Sequence, residues 1–261
     1  MLLQTNCEIA FEITTPTAFV FMLRPRSGAG QWIQQESYRV SPQVPVTETS
    51  DVFGNLCQRL VAQKGSLEVV TKSLVKTSSG SDVNAEADFI PVSSLPDETL
   101  MYLLPSRYCE SDRLHDLAID VVGSANPGYA QVAQIVSWIQ GHVKYIPGSS
   151  GFPVSSLEVV DREFGVCRDL AHVGISLCRS LCIPARMVVG YLHELKPMDI
   201  HAWFEAYVGG RWYTFDATQT SLDGARITIA YGRDAADVAI CNQYGPAVNP
   251  TRMLVEVTSQ D

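Results

Sequence analysis

The sequence contains no apolar run near the roughly 20 residues that a membrane-crossing helix requires, so no membrane association is expected from it. It is short of positive charge. Only 19 Lys and Arg stand against 28 Asp and Glu, for a formal net charge of −9 and a pI of about 5.0. Nucleic acid is held by clustered Lys and Arg, so it is not expected as a partner. The start, MLLQTNCEIAFEI, lacks a basic stretch leading into a long apolar one, and Glu8 and Glu12 come early; no signal peptide is expected. The seven cysteines are odd in number and scattered, which fits a reduced, cytoplasmic setting better than a disulfide framework. There is no GxxxxGK[ST], no GxGxxG after a strand, no GxSxG, no HExxH and no CxxC, so neither a metal nor a cofactor is expected.

What is present is an ordinary globular composition, 46% hydrophobic and 18% charged, in a chain long enough for one large domain or two smaller ones. The first part reads as strands. CEIAFEIT, AFVFMLR, WIQQESYRV and SLEVVTKSLV are short and rich in β-branched and aromatic residues, separated by turn material such as PRSGAG, SPQVP and DVFGN. No long helical pattern intervenes, so antiparallel hairpins are expected. KTSSGSDVNAEAD reads as a linker or as one long hairpin loop before FIPV. A boundary near Pro105 gives a β-rich domain over 1–105 and a second domain over 106–261. There the period changes. Val132, Ile135, Val136, Ile139 and Val143 lie on one helical stripe, with Asn126 or Ser124 available as cap. Cys167, Leu170, Ala171, Gly174, Leu177, Cys178 and Leu181 predict a helix over 167–181, stopped by Ile183-Pro184. Strands RMVVGYLH, HAWFEAYV and RWYTFDAT follow.

Within GVCRD, Cys167 could be a nucleophile, a metal ligand, half of a disulfide or a small apolar residue. Cys178 and Cys182, at i and i+4 with no further ligand pair, are expected in the core. Cys167 stands instead in the first turn of its helix, where unpaired N–H groups and the helix dipole stabilise a thiolate. The same N–H groups can hold an oxyanion formed on a substrate carbonyl. A nucleophilic thiol needs a base. His115, His142, His172 and His193 read as solvated or structurally satisfied; His201 reads otherwise. HAWFEAYV-GG-RWYTFDAT predicts a hairpin turning at Gly209-Gly210, in which Val208 faces Arg211, Glu205 faces Thr214, Trp203 faces Asp216 and His201 faces Thr218. His201 and Asp216 then share a face as diagonal neighbours, with Cα atoms about 7–8 Å apart, close enough for the carboxylate to fix the ring's tautomer and stabilise its imidazolium form. A solvated polar pair is the plainer alternative.

GVCRDLAHVGISLCRSLCIPARMVVGY followed by HAWFEAYVGGRWYTFDAT resembles the transglutaminase-like superfamily and its bacterial cysteine proteases. DVFGN resembles the β-domain that precedes the core in bacterial members, and GRDAADVA resembles their tail. The resemblance implies an α+β fold: a papain-like core, with the Cys-bearing helix packed on an antiparallel sheet, preceded by a β-rich sandwich- or barrel-like domain. It also implies a Cys-His-Asp triad of Cys167, His201 and Asp216, although Ala217 stands where the family usually has Pro. Peptide or amide hydrolysis through an acyl-enzyme is the expected activity. Acyl transfer to an amine, or a non-catalytic binding role, is the alternative. Cross-linking relatives are commonly calcium-dependent, and no calcium loop is readable here. Trp203 and Trp212 could line a substrate slot, or simply pack on the hairpin. A peptide or amide substrate is the expected partner; oligomeric state is not legible.

Overall fold

The computed structural model describes residues 1–28 and 30–261; Ala29, in the expected turn PRSGAG, lies outside the described residues. The front half is built from β1 (Leu2–Ile13), β2 (Thr17–Phe21), β3 (Trp32–Ser41), β4 (Thr47–Ser50), β5 (Leu56–Ala62) and β6 (Gly65–Lys76). Alternation drives it: along β1, Leu3, Thr5, Cys7, Ile9, Phe11 and Ile13 are buried while their neighbours are less so. Phe11 of β1 packs 5.3 Å from Phe19 of β2, and Phe19 stacks on Phe21 at 5.4 Å. These aromatics join two four-stranded sheets into a sandwich.

Those sheets are completed from the far end of the chain. Their orders are β14-β1-β6-β3 and β13-β2-β5-β4, where β13 is Cys241–Tyr244 and β14 is Arg252–Ser259. β14 runs antiparallel to β1 from Leu3↔Ser259 to Ala10↔Arg252. Residues 241–244 and 252–259, expected in the second domain, are therefore strands of the first sandwich. A local pattern can show that a segment is a strand, but not that its partner lies some 250 residues away.

The second half carries a short helix α1 (Asp97–Leu100), then α2 (His115–Val122), α3 (Tyr129–His142), β7 (Lys144–Tyr145), α4 (Ser156–Arg162), β8 (Phe164–Gly165) and α5 (Cys167–Ser180). A sheet of β9 (Ala185–Leu192), β10 (His201–Val208), β11 (Arg211–Phe215) and β12 (Arg226–Gly232) follows, in the antiparallel order β11-β10-β9-β12. The two predicted helices form within a few residues of their expected ends. The cap of α3 is neither Asn126 nor Ser124 but Gly128, whose N–H donates to the Gln131 side chain (3.2 Å). Glycine is required there because φ is +106° and an added Cβ would lie 2.4 Å from the Ala87 carbonyl oxygen. Helix α5 is buried from Asp169 through Arg179 and lies on the sheet so closely that a Cβ on Gly174 would meet Phe204 at 2.5 Å. Cys178 is in this core as expected. Cys182 is not: it is exposed beyond the helix end in a left-handed conformation (φ 58°) that terminates the helical path.

The halves are joined along β12, an edge strand whose outer backbone groups would otherwise be unpaired. The Gln31 side-chain amide donates to Thr228 O and accepts from Thr228 N, both at 2.8 Å. Asn55 makes the same reciprocal pair with Tyr231, at 2.7 and 2.8 Å. DVFGN is the device that presents Asn55: the Asp51 carboxylate accepts from the N–H groups of Phe53 and Asn55 and from the Asn55 amide. GRDAADVA works similarly, its buried Asp234 accepting from Tyr108 N and Ala236 N. The segment KTSSGSDVNAEAD is not a hairpin loop. It runs along the second half, with Gly80 bridged to Asp223 and Asp88 to Gly128.

Candidate active site

GVCRD owes each of its residues to the start of α5. Val166 is extended (φ −96°, ψ 176°), so Cys167 is the first helical residue, in the turn whose leading N–H groups have no carbonyl partner within the helix. Asp169 is fully buried, accepting from Val166 N at 3.2 Å and from Arg162 Nη2 at 2.8 Å, with Arg168 Nε at 3.3 Å. It caps and braces the turn that holds Cys167. Gly165 makes room for it, since a Cβ there would lie 2.8 Å from that of Asp169. Neither role was anticipated, although an acid three residues after a helix cap is the legible half of a capping box. Cys167 itself is partly accessible.

His201 opens β10 and Asp216 follows directly on β11, at 1% and 2% exposure. His201 Nε2 is 2.8 Å from Asp216 Oδ2, the bond expected of the hairpin. The ladder has the predicted register at Val208↔Arg211 and Glu205↔Thr214 but ends at Phe204↔Phe215. The expected pairs Trp203–Asp216 and His201–Thr218 do not form, because Asp216 Oδ1 accepts from Thr218 N (3.0 Å) and Thr218 Oγ1 (2.7 Å) and curls the chain off the sheet. The curl leaves Oδ2 on the imidazole. Glu205, the competing acid on this face, is committed to Arg186 at 2.6–2.8 Å.

Burial by itself would lower the proton affinity of His201, but the Asp216 hydrogen bond and the Cys167 thiol reverse this and raise its pKa to about 9. Burial pushes the Asp216 carboxyl up, and its bonds to His201 and Thr218, with Arg226 nearby, hold it below the usual range instead. With Nε2 on the carboxylate, Nδ1 is the nitrogen left for the thiol. It makes no hydrogen bond of its own.

The other expected site residues are not drawn to this point. Trp203 lies tilted beside His201, with ring centroids 6.1 Å apart, and is buried at 2% exposure. Trp212 lies under the Arg186 guanidinium at 4.2 Å. Both border a cavity of about 430 Å³ whose lining includes neither Cys167 nor His201. His172 is fully buried, with Nδ1 on Val154 O (3.0 Å) and Nε2 accepting from Ala235 N (3.2 Å). Burial lowers its pKa to about 4, so it is a neutral structural residue. His115 and His142 bond backbone carbonyls of Ser180 and Trp138. Among the described residues, no group of three His, Cys, Asp or Glu is placed to hold a metal ion, and no helix is long and apolar enough to cross a membrane.

Comparison with known proteins fits this geometry. Residues 115–217 match the core of the Transglutaminase-like superfamily, and residues 14–76 match the Bacterial transglutaminase-like N-terminal region. A solved structure from Cytophaga hutchinsonii, described as a "Putative Cysteine Protease", is 38% identical with a TM-score of 0.93, covering 100% of this chain and 91% of that one. The chain belongs to the transglutaminase-like superfamily. A further relative, the uncharacterized protein ML0607 of Mycobacterium leprae (strain TN), is 29% identical over 231 residues, 83% of this chain and 82% of that protein. The transglutaminase-like core holds Cys167, His201 and Asp216, and its β-rich companion is the sandwich described above.

Proposed function

We propose that this transglutaminase-like protein is a cysteine-dependent hydrolase of peptide or amide bonds, with Cys167 as nucleophile, His201 as acid and base, and Asp216 as the group that orients and charges His201. The observation that carries the reading is the buried 2.8 Å bond between His201 Nε2 and Asp216 Oδ2, which reserves Nδ1 for a thiol at a helix N-terminus. The Cys167 thiolate forms a C–S bond to the carbonyl carbon, and N–H groups of the first helical turn receive the negative oxygen. His201 Nδ1–H passes its proton to the leaving nitrogen as the C–N bond breaks. Water then attacks the thioester, giving a proton to Nδ1; the C–O bond forms, the C–S bond breaks and the thiolate returns. Hydrolysis is preferred to amine transfer because Trp203, one of the two residues that could have lined a slot for a lysine stem, is buried at 2% exposure.

Exposed Cys182 gives an internal control. Treatment with iodoacetamide near neutral pH, with site mapping by mass spectrometry, is expected to alkylate Cys167 well ahead of Cys182, and the His201→Ala variant should lose the difference. Equal rates in the wild type would reject the nucleophile. Glutamine-containing peptides supplied with a fluorescent amine are expected to release acid faster than they incorporate the amine; the opposite order would make the protein a transferase.

A further inference from the structure

Arg226 opens β12 with its side chain 7% exposed, and the chemistry described above does not use it. Its Nη2 lies 3.4 Å from Asp216 Oδ2, the same oxygen that accepts from His201. Its Nη1 donates to Leu222 O, Gly224 O and Ser81 Oγ at 3.1–3.2 Å. The backbone around it is fastened to the segment that leaves the sandwich: Thr77 Oγ1 donates to Arg226 O (2.9 Å), and Ser81 N donates to Leu222 O (3.3 Å). On the outer edge of the same strand, Gln31 and Asn55 of the sandwich occupy the backbone groups of Thr228 and Tyr231.

We infer that Arg226 is a positioning residue for Asp216 and that the front half of the chain holds it there, so that the β sandwich is a working part of the site and not only a neighbour. The inference rests on the triad reading. Its physical basis is the charge left behind during turnover. When His201 gives its proton to the leaving nitrogen, Asp216 would become a buried carboxylate with no cation, a costly state. Arg226 does not deprotonate, so it supports the carboxylate through that step. By sharing Oδ2 it also limits how tightly His201 holds its proton. The other groups around the His201–Asp216 pair are the Thr218 hydroxyl and Tyr145 of β7 on the Asp216 side, Tyr145 kept neutral by burial with its pKa raised to about 12, and Cys167 of α5 and Asp199, just before β10, on the His201 side. Arg226 is the fixed cation among them.

The test compares Arg226→Gln, Arg226→Lys and the double variant Thr77→Val/Ser81→Ala with the wild type. The readouts are the His201 imidazole titration by NMR, which needs no substrate, and the pH profile of peptide hydrolysis. Arg226→Gln is expected to move the His201 titration upward by about one pH unit, a tenfold gain in proton affinity. It should also lower turnover and move the alkaline limb of the profile upward. Arg226→Lys should restore most of both. The double variant should shift the titration the same way by less. A folded Arg226→Gln protein titrating with the wild type overturns the positioning role. A double variant identical to the wild type overturns the hold of the front half on Arg226. Should Arg226→Gln not fold, the double variant and Arg226→Lys decide. Failure of the triad reading is separate, since it shows in the wild type as unaccelerated alkylation of Cys167.

Discussion

Replacing Asp216 by Asn exposes what the carboxylate does, because an amide of the same shape can still accept from His201 Nε2. Geometry is largely kept and charge is lost. In the wild type the Asp216 bond and the Cys167 thiol together outweigh burial and hold His201 at about 9. Without the carboxylate, burial prevails and the ring returns toward 6.5 or lower, a change of about 3 kcal/mol in proton affinity. At pH 8 the imidazolium fraction then falls from about nine-tenths to about 3%, roughly a 30-fold loss of the acid form. At pH 6 both proteins remain mostly protonated and the defect nearly closes. The same shift appears in stability. A pKa raised by folding stabilises fully below the unfolded value of 6.5 and loses that contribution as pH rises through 9, so Asp216→Asn should narrow its deficit in chemical denaturation between pH 7 and pH 9. Peptide hydrolysis from pH 5 to pH 10, beside the His201 NMR titration, measures the first effect. Glu205→Gln, whose carboxylate serves Arg186, should leave the alkaline limb in place. An unmoved limb in Asp216→Asn, or a larger loss in Glu205→Gln, would refute the assignment.

Other consequences follow from the same contacts. Asn55→Ala leaves the buried N–H and C=O of Tyr231 without their partner and should cost on the order of 2–4 kcal/mol in urea unfolding. Gly190→Ala puts a Cβ 2.0 Å from Ile227 O, where β9 meets β12, and should lower soluble yield or melting temperature far more than Gly141→Ala, whose Cβ meets nothing. His172 is lowered to about 4, so the unfolded chain takes up its proton first as pH falls below 6.5. Stability should drop by about 2 kcal/mol between pH 7 and pH 5 on this account, and His172→Gln should flatten that slope.

The sequence by itself determined what depends on neighbours along the chain. The apolar period placed the two long helices, and helix-start position singled out Cys167 among seven cysteines. The Gly209-Gly210 turn fixed the register from Val208↔Arg211 to Phe204↔Phe215 and brought His201 and Asp216 to one end of the hairpin, while the bonds of Asp216 to Thr218 set the final contact. Tertiary structure decided the rest. That β13 and β14 return to the first sandwich and that Asn55 and Gln31 cap an open strand edge depend on partners some 175 to 250 residues away; that Arg226 shares an oxygen with His201 depends on how β12 packs beside the hairpin. The two tryptophans show the limit most plainly: pattern set both on one hairpin, but only packing decided that Trp203 is buried beside His201 while Trp212 lies under the Arg186 guanidinium. Local spacing constrains direction and register; burial is a property of what the rest of the chain brings to the same place.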